Sequence, residues 1–259
     1  MSNQPAPPPR LSNRYYDSPR KFFHYGFGIG LEWMKVPAIL IGSNGSIEFR
    51  NIHGIGLPVE AICHPFMKEN FSLGLYTGAS LGTTPHIFNS GEITEDDGST
   101  SKEHYFYYRW NIGGEAALGF RRFKLLYTIN RSAHKINYDL TKNYGTNNPV
   151  LYELEGTNHS QTTGLGIRIG RYLKTYGGGG NTFDLLYTFT DDPEDQFLDF
   201  SLSGLGSRRH GLSLMWWSMS QFKAKFDISM GEPGVSVFDS DWSGTSFQLS
   251  LAYNLSRFY

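Results

Sequence analysis

Ten charged side chains fall on the polar face of segments whose opposite face is apolar. They are Glu32, Glu60, Glu115, Asp184 and Asp227 among the acids, and Arg109, Lys124, Arg168, Lys223 and Lys225 among the bases. Enclosed together, five acids and five bases would cancel in salt bridges, because a charge taken out of water is costly unless it is paired and hydrogen-bonded. A conduit for ions would instead carry a surplus of one sign along its wall. The even balance predicts a paired network that plugs the space it lines, with a small-solute channel as the alternative.

Other groups could carry catalysis or bind metal, and each has a blander reading. Asp96, Asp97, Asp191, Asp192, His86, His104, His159 and His210 stand in or near loops, where carboxylates beside Gly98 or Pro193 are expected to be solvated turn formers. Glu92 to Asp97 holds four acids in six residues but lacks the central Gly and distal Glu of a dense Ca²⁺ loop. Gly177 to Gly180 lacks the Lys-Ser/Thr that a phosphate cradle needs. Cys63 is the only cysteine, so neither a disulfide framework nor a Cys-based metal site is available, and its neighbours make it a small apolar filler. No cofactor, no metal and no catalytic residue is assigned.

The elements that position these charges are strands. Residues 246–259 alternate Phe247, Leu249, Leu251, Tyr253 and Leu255 with Ser246, Gln248, Ser250, Ala252 and Asn254, and end on Phe258 and Tyr259. About ten residues with one apolar face and terminal aromatics suit a bilayer, and closure into a barrel satisfies every backbone group. The same alternation recurs at 22–33, 54–64, 70–82, 105–120, 122–130, 161–172, 181–190, 210–218 and 221–230. In the first of these, Phe23, Tyr25, Phe27, Ile29, Leu31 and Trp33 oppose His24, Gly26, Gly28, Gly30 and Glu32. Pro58 weakens the second, since an interior proline removes a ladder bond.

Ten strands are therefore expected, with eight or twelve left open by 191–209. Segments 34–53, 83–104, 131–160, 191–209 and 231–245 are long and polar, whereas 65–69, 120–121, 173–180 and 219–220 are short. Long loops on one rim and short turns on the other predict a single antiparallel transmembrane β-barrel over 22–259, all-β, with both termini on the short-turn side. Trp33, Trp110, Trp216, Trp217 and Trp242 are expected in the aromatic belts at the interfaces.

Composition agrees. Aromatics make up 15%, Gly counts 30 and charged residues only 18% of the 259, against about 25% charged in soluble domains. A net charge of -1 with no basic stripe excludes nucleic acid as a partner. Residues 1–21 hold Pro5, Pro7, Pro8 and Pro9 without an apolar h-region, so they are expected to be a Pro-rich periplasmic tail of a mature chain rather than its signal peptide.

Ten amphipathic strands, alternating loop lengths and the ending Leu251, Tyr253, Leu255, Phe258 and Tyr259 resemble the Gram-negative outer-membrane β-barrel superfamily, with a texture similar to small barrels of Bacteroidota. The resemblance implies an outer-membrane location, lipid around the barrel, and a last strand that the barrel-assembly machinery reads. It also brings in omptin-type proteases, which use an Asp pair opposite an Asp/His pair; Asp239-Ser240-Asp241 matches their Asp-x-Asp spacing, but no Asp-x-His completes a site. The resulting expectation is a non-enzymatic barrel with an occluded lumen, serving as a structural or accessory subunit of an outer-membrane assembly or secretion complex. Its partners would be lipid, the assembly machinery, and envelope proteins met through loops, wall or tail; a channel and a hydrolase with a loop-borne site are the alternatives.

Overall fold

Alternation at period two sends successive side chains to opposite faces, and in the computed structural model all ten alternating segments join one antiparallel sheet. The structure describes residues 22–42, 47–68, 70–83, 92–94, 98–120, 122–170, 181–191, 208–218, 222–230 and 245–258. The strands are β1 (Phe22–Gly42), β2 (Ile47–Met67), β3 (Phe71–Thr83), β4 (Glu92–Thr94), β5 (Thr100–Phe120), β6 (Phe123–Lys142), β7 (Val150–Gly170), β8 (Asn181–Asp191), β9 (Arg208–Ser218), β10 (Phe222–Met230) and β11 (Ser246–Phe258). The three-residue β4 pairs only with the start of β5. The other ten close a ring, because β3 pairs with β5 and β1 with β11, with Leu31 opposite Leu251 and Gly30 opposite Ala252. Closure removes both sheet edges, so every strand of the ring is flanked by two others.

The outer face is apolar all the way round. Leu31, Leu125, Leu165 and Leu251 are each 57–65% exposed, and they belong to two strand pairs, β1–β11 and β6–β7, on different parts of the ring. A continuous belt of this kind far exceeds the isolated apolar patches a water-soluble monomer tolerates, and it has the character of a surface that faces hydrocarbon. Trp33, Trp110 and Trp216 stand outward with it. Trp217 does not belong to the belt as expected; it is buried and points inward, since neighbours in a strand take opposite faces. Trp242 lies outside the described residues.

The long segments are where the structure departs most from the sequence reading. Residues 131–160, taken as a loop, are mostly strand: β6 and β7 pair without a break from Phe123↔Ile169 to Lys142↔Val150. The reason is an inversion of the pattern. Outward residues turn polar above Ile129, with Arg131, Lys135, Asn137 and Asp139 exposed, while the inward Ile136, Tyr138, Leu140 and Leu154 turn apolar and are buried. A strand leaving the bilayer must show water-compatible residues outside, so the loss of outward Leu and Phe marks the membrane rim and not the end of the strand. A turn at residues 143–149 caps the hairpin, with Asn143 at φ 55° and Gly145 at φ 81°, conformations that Asn and Gly tolerate.

The expected loop 34–53 is likewise largely strand, as β1 and β2 continue to Gly42 and from Ile47. The tip of β1 then crosses the mouth, pairing Ile41 and Gly42 with Glu155 and Leu154 of β7. In a ring of ten, β1 and β7 stand on opposite walls, so this hairpin spans the opening. Beneath it Met34, Tyr105, Tyr107, Ile136, Tyr138, Leu140 and Leu154 form one apolar cluster. Pro58 sits within β2, and the β1–β2 register runs from Ile29↔Val59 directly to Glu32↔Gly56, skipping the pairs opposite Pro58 and Leu57. The cost of the missing donor is thus confined to one side, since β2–β3 continues through Pro58↔Ser80.

Two outcomes follow from this closure. In a Cys63→Ser background, oxidation should cross-link Leu31→Cys with Leu251→Cys in folded protein but not Leu31→Cys with Leu255→Cys; efficient coupling of the second pair would contradict the β1–β11 register. Leu165→Arg on the outer face should lower folding stability in bilayers by about 2–4 kcal/mol, measured by denaturant titration, whereas an unchanged midpoint would contradict a lipid-facing belt.

Candidate functional site

The inward face carries two layers of charge. The lower one lies at the end that holds the termini and short turns. Strand register sets Arg168 of β7 between Lys124 of β6 and Asp184 of β8. Arg168 donates from Nε and Nη2 to Asp184 at 2.8 and 2.7 Å, and from Nη1 and Nη2 to Glu115 of β5 at 2.6 and 2.9 Å. The planar guanidinium thus makes two paired contacts at once, the geometry that favours Arg over Lys here. Arg168, Asp184, Glu115 and Lys124 are all buried.

This layer extends to the opposite wall. His64 Nε2 lies 3.0 Å from Glu115 Oε1 and His24 Nδ1 lies 3.0 Å from His64 Nδ1. Because the carboxylate only accepts, His64 presents Nε2–H to it, and one of the two facing Nδ1 atoms donates to the other. Trp217 stacks on His64 at 5.6 Å between ring centres and lies 5.3 Å from His24. Glycine makes room for these rings: a Cβ on Gly74 would fall 2.7 Å from the His64 ring and 2.8 Å from Glu115 Cγ.

The upper layer is built around Glu32. Arg109 pairs with Glu32 Oε2 and donates to Gln248 Oε1 at 2.7 Å, while Gln248 Nε2 donates to Glu32 at 2.9 Å. Ser80 and Tyr107 also donate to Glu32 Oε1, the tyrosine at 3.1 Å. Tyr107 reaches it by lying across glycines, since a Cβ at Gly56 would be 2.1 Å from its oxygen and one at Gly82 2.3 Å from its ring. Between the layers Lys223 donates to Glu60 and Lys225 pairs with Asp227, both at 2.7 Å. A cavity of about 270 Å³ occupies part of the remaining lumen, lined by polar residues such as Arg109, Asn111 and Gln248 and by apolar ones such as Ile62, Leu186 and Met215.

No family model matches the chain, and no curated protein is detectably similar to it. Solved structures do align with it, at low similarity. The translocator domain of the autotransporter NalP from Neisseria meningitidis shares 9% identity over 93% of this chain and 90% of that one, with a TM-score of 0.36. Ail, the attachment invasion locus protein of Yersinia pestis, shares 8% over 90% and 99%, with a TM-score of 0.33. The transport unit of the autotransporter AIDA-I from Escherichia coli shares 10% over 94% and 92%, at 0.33. The barrel and its belt are set by this chain's own strands.

The ten charged residues expected on the inner wall are all buried or line the lumen. Glu115, Arg168 and Asp184 are joined in the lower layer with Lys124 beside them, Glu32 and Arg109 in the upper one, and Lys223–Glu60 and Lys225–Asp227 form separate pairs. Tyr107, Ser80, Gln248, His24, His64 and Trp217 complete the two layers, and their shared signal is position on the same alternating face. Arg209 is a further inward base, buried and lining the cavity; it falls one residue before the strand start taken at His210, so the count of bases missed it. On β11 Leu251, Tyr253 and Leu255 face outward and exposed, and Phe258 pairs with His24; Tyr259 lies outside the described residues. So do residues 1–21, His86, Asp96, Asp97, Asp192, the Gly177–Gly180 run, Asp239 and Asp241. His104, His159 and His210 are exposed on outward-facing positions, and Cys63 is a free, half-buried thiol.

Removing the shared guanidinium should cost far more than removing the whole group. Arg168→Leu leaves Glu115 and Asp184 buried beside each other and should destabilise by about 3–5 kcal/mol. Adding Glu115→Leu and Asp184→Leu should restore most of that loss in the same denaturant titration, and a triple variant no better than the single one would contradict the paired arrangement.

Proposed function

We propose that this chain is a non-enzymatic integral outer-membrane barrel of a Gram-negative bacterium, with an occluded lumen and both termini in the periplasm. It acts as a structural or accessory subunit of an outer-membrane assembly or secretion complex. The observation that carries the reading is the Glu115–Arg168–Asp184 group, which draws β5, β7 and β8 together across the lumen, continued to β1 and β2 by the two histidines. A transported solute would have to displace side chains that hold one another by charge-assisted hydrogen bonds. The apolar cluster beneath the β1 crossing supports closure at the opposite mouth as well.

With its interior engaged in holding itself together, the protein meets partners through its outer wall, its loop rim and its N-terminal tail. In the tail, Arg10, Arg14, Tyr15, Tyr16 and Arg20 supply residue types common at binding hot spots. The ending Leu251, Tyr253 and Leu255 supports recognition by the barrel-assembly machinery during insertion.

Two measurements address this reading. In planar bilayers the purified protein should give no steady openings; reproducible ion-selective conductance would overturn the occluded lumen. Mild-detergent extraction of native membranes should recover it with other envelope proteins at fixed stoichiometry, and recovery as a lone monomer would overturn the subunit role.

A further inference from the structure

We propose that the β1–β2 hairpin above the membrane rim is a hinged strap, latched across the mouth to β7 and able to swing clear of the apolar cluster it covers. This goes beyond an occluded barrel, because it gives the closed mouth a moving part.

Strand register shows where the strap is anchored and where it is not. β1 pairs with β11 only as far as Lys35↔Phe247, and β2 pairs with β3 only as far as Ile55↔Thr83. Both strands thus lose their outer neighbours at nearly one level, because Lys35 lies opposite His53. Above it the pairs from Val36↔Ile52 to Ile41↔Ile47 continue as a two-stranded ribbon among the described residues, with Pro37 at its root. A two-stranded hairpin is marginal by itself in water, and proline supplies no backbone donor to a neighbouring strand. The far end of the ribbon is held by two residue pairs, Ile41↔Glu155 and Gly42↔Leu154. This latch stands clear of the closed ring. β8 stops pairing with β7 at Gln161↔Asp191, so among the described residues 156–160 of β7 have only β6 beside them.

The framework beneath does not depend on the strap. Tyr105, Tyr107, Ile136, Tyr138, Leu140 and Leu154 of the cluster belong to β5, β6 and β7, which run side by side in unbroken register above the rim. Met34 is the residue just below the hinge at Lys35. The cluster rests on the cavity through Tyr107, whose ring lies 6.3 Å from that of His134 in the cavity lining. Opening therefore breaks few backbone bonds and leaves the wall of β5–β7 standing, the condition for a local opening that costs far less than unfolding the barrel. The latch and the burial of the cluster favour the closed state. The open state uncovers the upper edge of β7 and an apolar face of tyrosine, isoleucine and leucine.

Two measurements on the full chain folded in detergent test this, both in a Cys63→Ser background. In the first, Ile41→Cys and Glu155→Cys face each other across the latch, within disulfide reach for directly opposed residues, and backbone hydrogen exchange is followed by mass spectrometry. In the reduced form residues 36–42 and 47–53 should exchange together, and faster than 25–33 and 56–63 of the same strands. Oxidation should slow the strap by about tenfold or more and leave the lower segments unchanged. A strap as well protected as the barrel below it, exchange indifferent to the cross-link, or failure of the pair to cross-link would each overturn the proposal. In the second, Leu140→Cys reports access to the cluster through its rate of reaction with a small water-soluble thiol reagent. Replacing residues 37–51 with Asn-Gly, a two-residue hairpin turn, should raise that rate by about tenfold or more, with barrel closure checked by mobility on unboiled gels. An unchanged rate would overturn the strap's role as the cover. Should the shortened chain fail to fold, hydrogen exchange in the cross-linked pair decides alone.

Discussion

A charge placed inside a ring of ten strands has no bulk water to retreat to, and the lumen of this protein is arranged around that constraint. Arg168 answers it by giving one guanidinium to two carboxylates on different strands. From that shared group the interior follows outward: Glu115 takes His64, His64 takes His24, and Trp217 closes over both rings. Small residues opposite them are a consequence, because Gly74 lies where a side chain would meet His64 and Glu115. The inner wall is thus fitted to its network, while the outer wall below the rim is an apolar belt.

These two demands explain what the sequence makes legible. Wherever the outer face meets hydrocarbon, alternation of large apolar with small or charged residues identifies the strand and its inward face at once. Glu32, Glu60, Arg109 and Arg168 could be assigned to one interior without any coordinates. Above the membrane rim the rule changes sign. Ile136, Tyr138 and Leu140 are still alternate residues of β6, but they now point inward, and the exposed Lys135, Asn137 and Asp139 imitate a polar loop. A pattern sought as apolar-outside is lost there although the backbone register continues.

Lys225–Asp227 lie on one strand and Arg168–Asp184 on consecutive strands, but the other charge pairs were not legible, because their partners lie far apart in sequence. Arg109 and Gln248 meet only after β1 joins β11 and the ring closes. Arg209 escaped because it lies one residue beyond the start assigned to its strand. Trp217 shows the converse error, since tryptophan is common at membrane interfaces but parity alone places this one inside, against the histidines. The crossing of β1 to β7 depends on the three-dimensional span of the mouth, for which one-dimensional periodicity has no signal.

An ionic layer near the termini and an apolar cluster under the crossing hairpin tie the walls of the ring to one another around a cavity of about 270 Å³. The state of the Arg168 guanidinium in protein reconstituted into lipid tests this most directly. Nitrogen-15 NMR should show its Nε–H and Nη–H groups as separate signals, slow to rotate and protected from exchange with water, as expected for a fork held by Glu115 and Asp184. A single averaged signal exchanging freely with solvent would mean a hydrated lumen and would contradict the paired interior.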